Sequence, residues 1–373
     1  MMDKLIQKHY DAVQSEMRTA MESVINKCDY NNRERVAAFE KELAAAFDIR
    51  NAVTCHSATA AMQMILLAYG LGRGDAVFIS DLGSLAVAEA TKIIGATPVF
   101  VDVDPASGRF DMHHLEIQIQ RVLTDTKLTP KVVVTADCFG IPEDYLAINE
   151  IIRTYGLLLI EDAAKSLGGS YKGLQCGCFG HAAIASFDFG SPLFGIGSGS
   201  AVLTDFNEVA GLLCAERGHG LVGGKAEVLG MDSRLDVMQA EILRVKLRCL
   251  AEEIAAAAKI AAIYDKALSE KFDFLQIAEG AEPSHNEYVF LAKSEEQAAE
   301  IKGALAAKGW QAATLPLLML HTLEFYHDTK YPTAAEDFGG ACQLTAKSVR
   351  LPISPYLEED MQQEIIETVL QFA

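Results

Sequence analysis

The chain has 373 residues, half of them apolar, and 32 Lys+Arg against 51 Asp+Glu leave a formal net charge of −19. That length fits one large domain or two with ample core, and the composition excludes a disordered chain. The acid excess without a clustered Lys/Arg surface excludes a nucleic-acid partner, and no apolar run approaches the ~18 residues that cross a bilayer, which excludes a membrane partner. From Met1 to Phe47 the pattern is helical, with Val36, Phe39, Leu43 and Phe47 on one face at three-to-four-residue steps. Its first ten residues mix Lys4, Lys8 and Asp3 with no apolar stretch or small-residue cleavage site, so a cytoplasmic location is expected.

Short apolar runs follow, expected as strands: Ala52 to Thr54, Ala76 to Ser80, Pro98 to Val103, Lys131 to Thr135, Leu157 to Glu161, Ala182 to Phe187 and Ala201 to Thr204. Several are apolar almost throughout, the mark of strands covered on both faces. Helical stretches at Ala58 to Tyr69, Leu85 to Ile94, Glu143 to Tyr155 and Asn207 to Arg217 supply crossovers, so an α/β architecture with a mostly parallel sheet is predicted. Its ligand belongs at the C-terminal strand edge. Leu235 to Glu270 reads as one long helix linking two lobes. Beyond it come a strand at Tyr288 to Ala292, a helix at Glu295 to Lys308, strands at Gln311 to Thr314 and Ser348 to Pro352, and a helix at Glu358 to Phe372. The expected division is 1–250 for the helical arm and large α/β domain, and 251–373 for a small α+β domain. Eight scattered cysteines fit a reduced compartment. Cys176, Cys178 and His181 cluster, but a C-x-C pair without a second pair reads as buried small side chains, and no metal is expected.

Three groups of segments, read in order, carry a resemblance. The first runs from AVTCHSATAAM through GRGDAVFISD to IIGATPVFVDVDPASGRFD. The second is LLLIEDAAKSLGGSYKGLQCGCFGHAAIASF followed by GSGSAVLTD. The third joins ERGHG, GMDSRLDVMQAEILRVKL and VRLPISPYLEEDM. Their order and spacing resemble the DegT/DnrJ/StrS family of sugar aminotransferases over most of residues 20 to 373. The resemblance implies fold type I: a mostly parallel seven-stranded sheet in a large domain, plus a small C-terminal α+β domain. It also implies pyridoxal phosphate chemistry on a nucleotide-linked sugar, and a dimer. Function must still be argued at the site.

The resemblance assigns Asp162, at the end of LLLIED, to the pyridine nitrogen, a reading preferred here to its alternative as an N-cap for a helix from Asp162 to Ser166. Ser57, Ala58, Thr59 and Ala60 match a phosphate cradle at a helix N-terminus, with Ala58 where the family has Gly, and Ser186 matches a hydroxyl of that cradle. Asp232 stands where the family lends an Asn to the phosphate across the dimer. A carboxylate about 4 Å from one phosphate charge costs about 4 kcal/mol at an effective dielectric of 20. Ser84 stands where an aromatic ring stacks on the cofactor, and Lys165 replaces a neutral Gln beside the ring hydroxyl. Lys165 reads either as a pocket group on one helical face with Asp162 or as a solvated helix lysine. Arg234, His219 and His321 match substrate-side positions, with interface or core roles as the alternatives.

Ser186 and Phe187 set a register in which Ser191 occupies the place of the Schiff-base lysine, and no Lys occurs from Leu174 to Gly224. A serine forms no imine and is a poor base for a Cα proton. The residues therefore predict a family member that does not transaminate conventionally and acts as a dimeric binding or partner protein in sugar or natural-product biosynthesis. The alternative is an aminotransferase or dehydratase acting on a nucleotide-linked keto-sugar. It would use pyridoxal or pyridoxamine phosphate held noncovalently, or an imine with Lys165. Cofactor-free protein is the third expectation. The partners expected are a second copy, or a lysine-bearing paralogue in a heterodimer, and a sugar nucleotide.

Overall fold

The structure is a computed structural model and describes residues 2–125, 127–310, 317–326 and 337–373. The helical arm consists of α1 (Met2–Lys27) and α2 (Arg33–Ala46). Asn32 caps α2 by accepting from Glu34 N, and Phe39, Leu43 and Phe47 bury the predicted face against the large sheet, with Val36 at its margin.

The core alternates β1 (Asn51–Cys55), α3 (Ala58–Ala68), β2 (Asp75–Ser80), α4 (Leu85–Ile93), β3 (Thr97–Val101), α5 (Met112–Asp125), β4 (Thr129–Thr135), α6 (Tyr145–Tyr155), β5 (Leu158–Asp162), β6 (Ala182–Ser186), β7 (Ser200–Thr204) and α7 (Asn207–Glu216). These strands form a seven-stranded sheet in the order β1-β7-β6-β5-β4-β2-β3. The β2–β3, β2–β4, β4–β5 and β5–β6 pairs are parallel. Only β7 runs against its neighbours. Both faces of the sheet are buried by separate apolar clusters, as the near-continuous apolar runs predict.

The long helix α8 (Val237–Leu268) runs from the large sheet to a second core. That core is built on β8 (Asp273–Phe274), β9 (Tyr288–Leu291), α9 (Glu295–Ala307), α10 (Gly339–Lys347), β10 (Ser348–Leu351) and α11 (Glu359–Leu370), with the antiparallel order β8-β9-β10. Leu5 of α1 is buried in this same cluster, while Val13 and Met17 of α1 pack on Ile242 and Val245 of α8. The N-terminal helix thus straps the end of the chain to the long helix. The strand expected at Gln311 to Thr314 lies outside the described residues. Among the described residues, no helix is long and apolar enough to cross a membrane, and no group of three metal-type side chains is assembled.

One local expectation needs correction, and two helices have no counterpart among the expected elements. Residues 164–168 form turns, so the helix expected from Asp162 to Ser166 does not form. The stretch EIQIQ alternates like a strand, yet Leu115, Ile119 and Val122 bury one face of α5. Finally, α10 starts at Gly339-Gly340, which reads as a turn in sequence. Its first amides, Gly340 N and Ala341 N, each donate to the Asp102 carboxylate at 2.8 Å, a cap supplied from beyond β3.

Candidate functional site

Strands β1 to β6 all end at one edge of the sheet. The register sets Cys55 opposite Ser200 and Ser200 opposite Ser186, while Asp162 pairs with Ile184 two residues earlier. The chain turns at His56 and enters α3 directly, with Ser57 as N-cap accepting from Ala60 N at 3.2 Å. The free amides of the first turn, at Ala58 and Thr59, therefore lie at this edge, where an anion is stabilised by the helix end. Ala58 is the first helical residue, so its methyl group requires no left-handed backbone there.

Asp162 is buried and accepts one hydrogen bond, from Ala164 N at 3.2 Å. Burial pushes its carboxyl up to about 7, opposed by the Ala164 amide, with the neighbouring Asp137 raising it and Lys165 lowering it. Asp137 takes a left-handed conformation at the end of β4. It accepts from Glu143 N at 3.0 Å, from the Tyr145 hydroxyl at 2.8 Å and from the Ser166 hydroxyl. Asp137 thereby ties down the turn that carries Lys165.

After β6 the chain makes a tight turn in which Ser186 Oγ accepts from Asp188 N at 3.2 Å, and Ser191 N donates to Asp188 O at 3.0 Å. Ser191 is 7% exposed. Asp188 Oδ1 is buried with no hydrogen-bond partner among the described residues, an acceptor that a ligand hydroxyl or amine would satisfy. Ser191 and Gly190 line a cavity of about 400 Å³ between the two cores, together with Lys165, Glu287, Arg350 and His9. Across it, Lys165 Nζ lies 3.1 Å from Glu287 Oε1 and donates to Gly190 O at 3.3 Å. Asn286 Nδ2 donates to the same carbonyl at 3.0 Å, and the Ser284 hydroxyl donates to Lys165 O at 2.7 Å. Lys165 and Asp162 are thus neighbours through a turn and not through the shared helical face the sequence suggested.

The other expected residues are placed differently. Ser84 is the N-cap of α4, its Oγ accepting from Ala86 N at 3.1 Å. Asp232, His219 and Arg234 form an exposed group, with Asp232 3.8 Å from His219 Nε2 and 3.7 Å from Arg234 Nη1. The loop closing there depends on Gly220, at φ +70, where a Cβ would meet Val228 O at 1.8 Å. His56 Nδ1 lies 2.9 Å from the Ser233 hydroxyl, which ties the 231–234 segment to the entry of α3. His321 is buried, with its backbone N–H donating to Asp81 Oδ1 and its Nδ1 2.7 Å from Asp81 Oδ2. Its ring stacks on Phe338 at 4.3 Å. Glu287, Asn286, Ser284 and Arg350 were missed in the sequence. They reach the cavity only because the second core folds against the first, and no local motif marks them.

Pyridoxal phosphate, implied by the resemblance, fits part of this donor set. Asp162 has carboxylate capacity left for a ring N–H, and the α3 amides with the Ser186 hydroxyl suit a phosphate. Nothing at residue 191 fits a covalent anchor, and the Ser84 hydroxyl is engaged as a cap.

Comparison with known proteins places these features in context. A model described as the DegT/DnrJ/EryC1/StrS aminotransferase family matches residues 11–370. A UDP-2-acetamido-2-deoxy-3-oxo-D-glucuronate aminotransferase from Pseudomonas aeruginosa is 33% identical over 69% of this chain and 70% of its own. Among solved structures, a DegT DnrJ EryC1 StrS aminotransferase from Brucella abortus superposes with a TM-score of 0.90 at 31% identity, covering 98% of both chains. DesV from S. venezuelae, solved in complex with a ketimine intermediate, gives a TM-score of 0.88 at 27% identity over 98% of this chain and 96% of that one.

Proposed function

Because the chain belongs to the DegT/DnrJ/EryC1/StrS aminotransferase family, we propose that it binds a nucleotide-linked sugar without carrying out lysine-based amino transfer, as a dimeric binding or partner protein. The observation that carries this reading is residue 191. In the register set by Ser186 and Phe187 the side chain there is a buried hydroxyl, which neither forms an imine nor titrates as a base near neutral pH.

The remaining groups suit binding. The Asp162 carboxyl would hold a pyridine nitrogen, and the first-turn amides of α3 with Ser186 would hold a phosphate. Pyridoxal or pyridoxamine phosphate, if held there noncovalently, supplies an electron sink. Arg234 offers a guanidinium fork for a diphosphate or carboxylate, although Asp232 at 3.7 Å competes for it. The dimer belongs to the same proposal and is supported by large apolar side chains left exposed on the segments 189–196 and 221–229, including Phe189, Ile196 and Leu229. The partner is a second copy of this chain or a lysine-bearing paralogue.

The test is calorimetric titration of the purified protein with UDP- and dTDP-linked sugars, with amino transfer from glutamate assayed on the same preparation. Saturable binding without turnover is expected. Turnover on a keto-sugar nucleotide would overturn the proposal, and so would absence of binding to any of the sugar nucleotides.

A further inference from the structure

The entry of α3 is reached from one residue by two separate routes. Arg217 closes α7, and its guanidinium crosses to the edge strand β1, where Nη1 donates to Thr54 O at 2.9 Å. Glu40 of α2 completes the clamp. Its Oε1 accepts from Thr54 N at 2.8 Å and from the Thr54 hydroxyl at 2.7 Å, and it also pairs with Arg217 Nη1. The N–H and C=O of Thr54 thus point away from β7 and are satisfied by one ion pair, whose Arg217 and Glu40 side chains are only 18% and 13% exposed. The second route runs through the backbone. Arg217 O accepts from Ser233 N at 3.0 Å, Ser233 O accepts from His56 N at 3.2 Å, and His56 Nδ1 lies 2.9 Å from the Ser233 hydroxyl. Thr54 precedes His56 by two residues, and Ser57, the N-cap of α3, follows it directly. The two routes therefore bracket the turn that aims the free amides of Ala58 and Thr59.

We propose that Arg217 is a positioning residue for the phosphate cradle of α3, setting the direction of its first-turn amides and anchoring the 231–234 segment to them. This deepens the reading above, on which it rests for the cradle itself. A partly buried ion pair gains little net stability, because desolvation offsets the attraction. What it fixes is position: a planar guanidinium and a carboxylate hold Thr54 by its acceptor and its donor at once. Amides at a helix end hold a phosphate only when they converge on its oxygens, which requires placement within about 0.5 Å of the productive geometry. Arg217 touches no ligand in this account and acts only through Thr54 and Ser233.

Pyridoxamine 5'-phosphate and pyridoxamine serve as probes. They differ only in the phosphate, and neither has a carbonyl group, so the ratio of their dissociation constants isolates the cradle. The native protein should prefer the phosphorylated probe. Arg217→Lys keeps a charge beside Glu40 and loses the planar fork. In this variant the ratio should fall about tenfold, equivalent to ~1.4 kcal/mol, with pyridoxamine bound as before. Glu40→Gln, which removes the charge that orients Arg217, should shift the ratio in the same direction. Hydrogen exchange over residues 54–61 should quicken about tenfold in Arg217→Lys, while the amides of β4 and β5 keep their native rates. Leu43→Ala empties a buried site on the same helix as Glu40, so it should lower the melting transition and leave the ratio unchanged. A ratio that stays native in both Arg217→Lys and Glu40→Gln, or one that falls as far in Leu43→Ala, would overturn the assignment while leaving the cradle in place. A native protein without preference for the phosphorylated probe would overturn the cradle and this inference with it, so the measurement on the native protein separates the two failures.

Discussion

A carboxyl group taken out of water keeps its proton unless donors or cations replace the lost hydration. Asp162 has one backbone donor, and burial pushes it up to about 7 from an ordinary 3.8. The raised value makes the folded state the stronger proton binder between those limits. This contribution to stability is therefore fully present below about pH 4 and is lost as pH rises through 7. Urea midpoints measured at pH 5 and pH 8 should fall more for the native protein than for Asp162→Asn, which cannot titrate. Parallel changes in the two proteins would show that Asp162 is not held protonated. Ser84 shows how a residue changes meaning in three dimensions. In sequence it marks a missing aromatic clamp, whereas in the fold it caps α4, a role whose loss to Ala costs about 1 kcal/mol.

At the scale of elements, α1 joins parts that the rest of the chain holds less directly. Leu5 lies in the apolar cluster of the second core, while Val13 and Met17 lie on α8. His9 borders the cavity, with its ring 4.9 Å from that of Phe194. Leu5→Ala should cost about 2–3 kcal/mol, the low end for emptying a buried leucine site, measured by chemical denaturation. A loss under about 0.5 kcal/mol, the size of an ordinary surface substitution, would show that the strap is not packed. The seven sheet strands and the long helix were legible in the sequence because burial on both faces writes continuous apolar runs, and crossover helices space them. Helix α5 was hidden because EIQIQ carries strand-like alternation alongside its helical spacing. The start of α10 was hidden because its cap, Asp102, comes from a distant part of the chain. The site divided along the same line. Asp162, Ser186 and the 57–60 turn sit at strand ends, where the order of the motifs in the resemblance assigned them. Glu287 and Asn286 acquire their meaning only across the cleft from Lys165 and Gly190.

At the scale of the whole molecule, a chain of net charge −19 repels its own copies at long range, so any self-association has to come from contacts at short range. Leu229 is 74% exposed beside the loop that carries Asp232 and Arg234. If that face closes the proposed dimer, Leu229→Asp should weaken self-association by about tenfold or more, ~1.4 kcal/mol. Sedimentation at graded concentrations and moderate salt measures this. An unchanged dissociation constant would place the interface elsewhere.

The central claim is that a fold type I architecture has been retained with a hydroxyl at residue 191 where amino transfer needs an amine. The most direct test counts 2-oxoglutarate formed from glutamate by the purified protein in excess pyridoxal phosphate, with a keto-sugar nucleotide present as acceptor. The account predicts no product above the protein-free control. Sustained formation of 2-oxoglutarate beyond one equivalent per chain would contradict it.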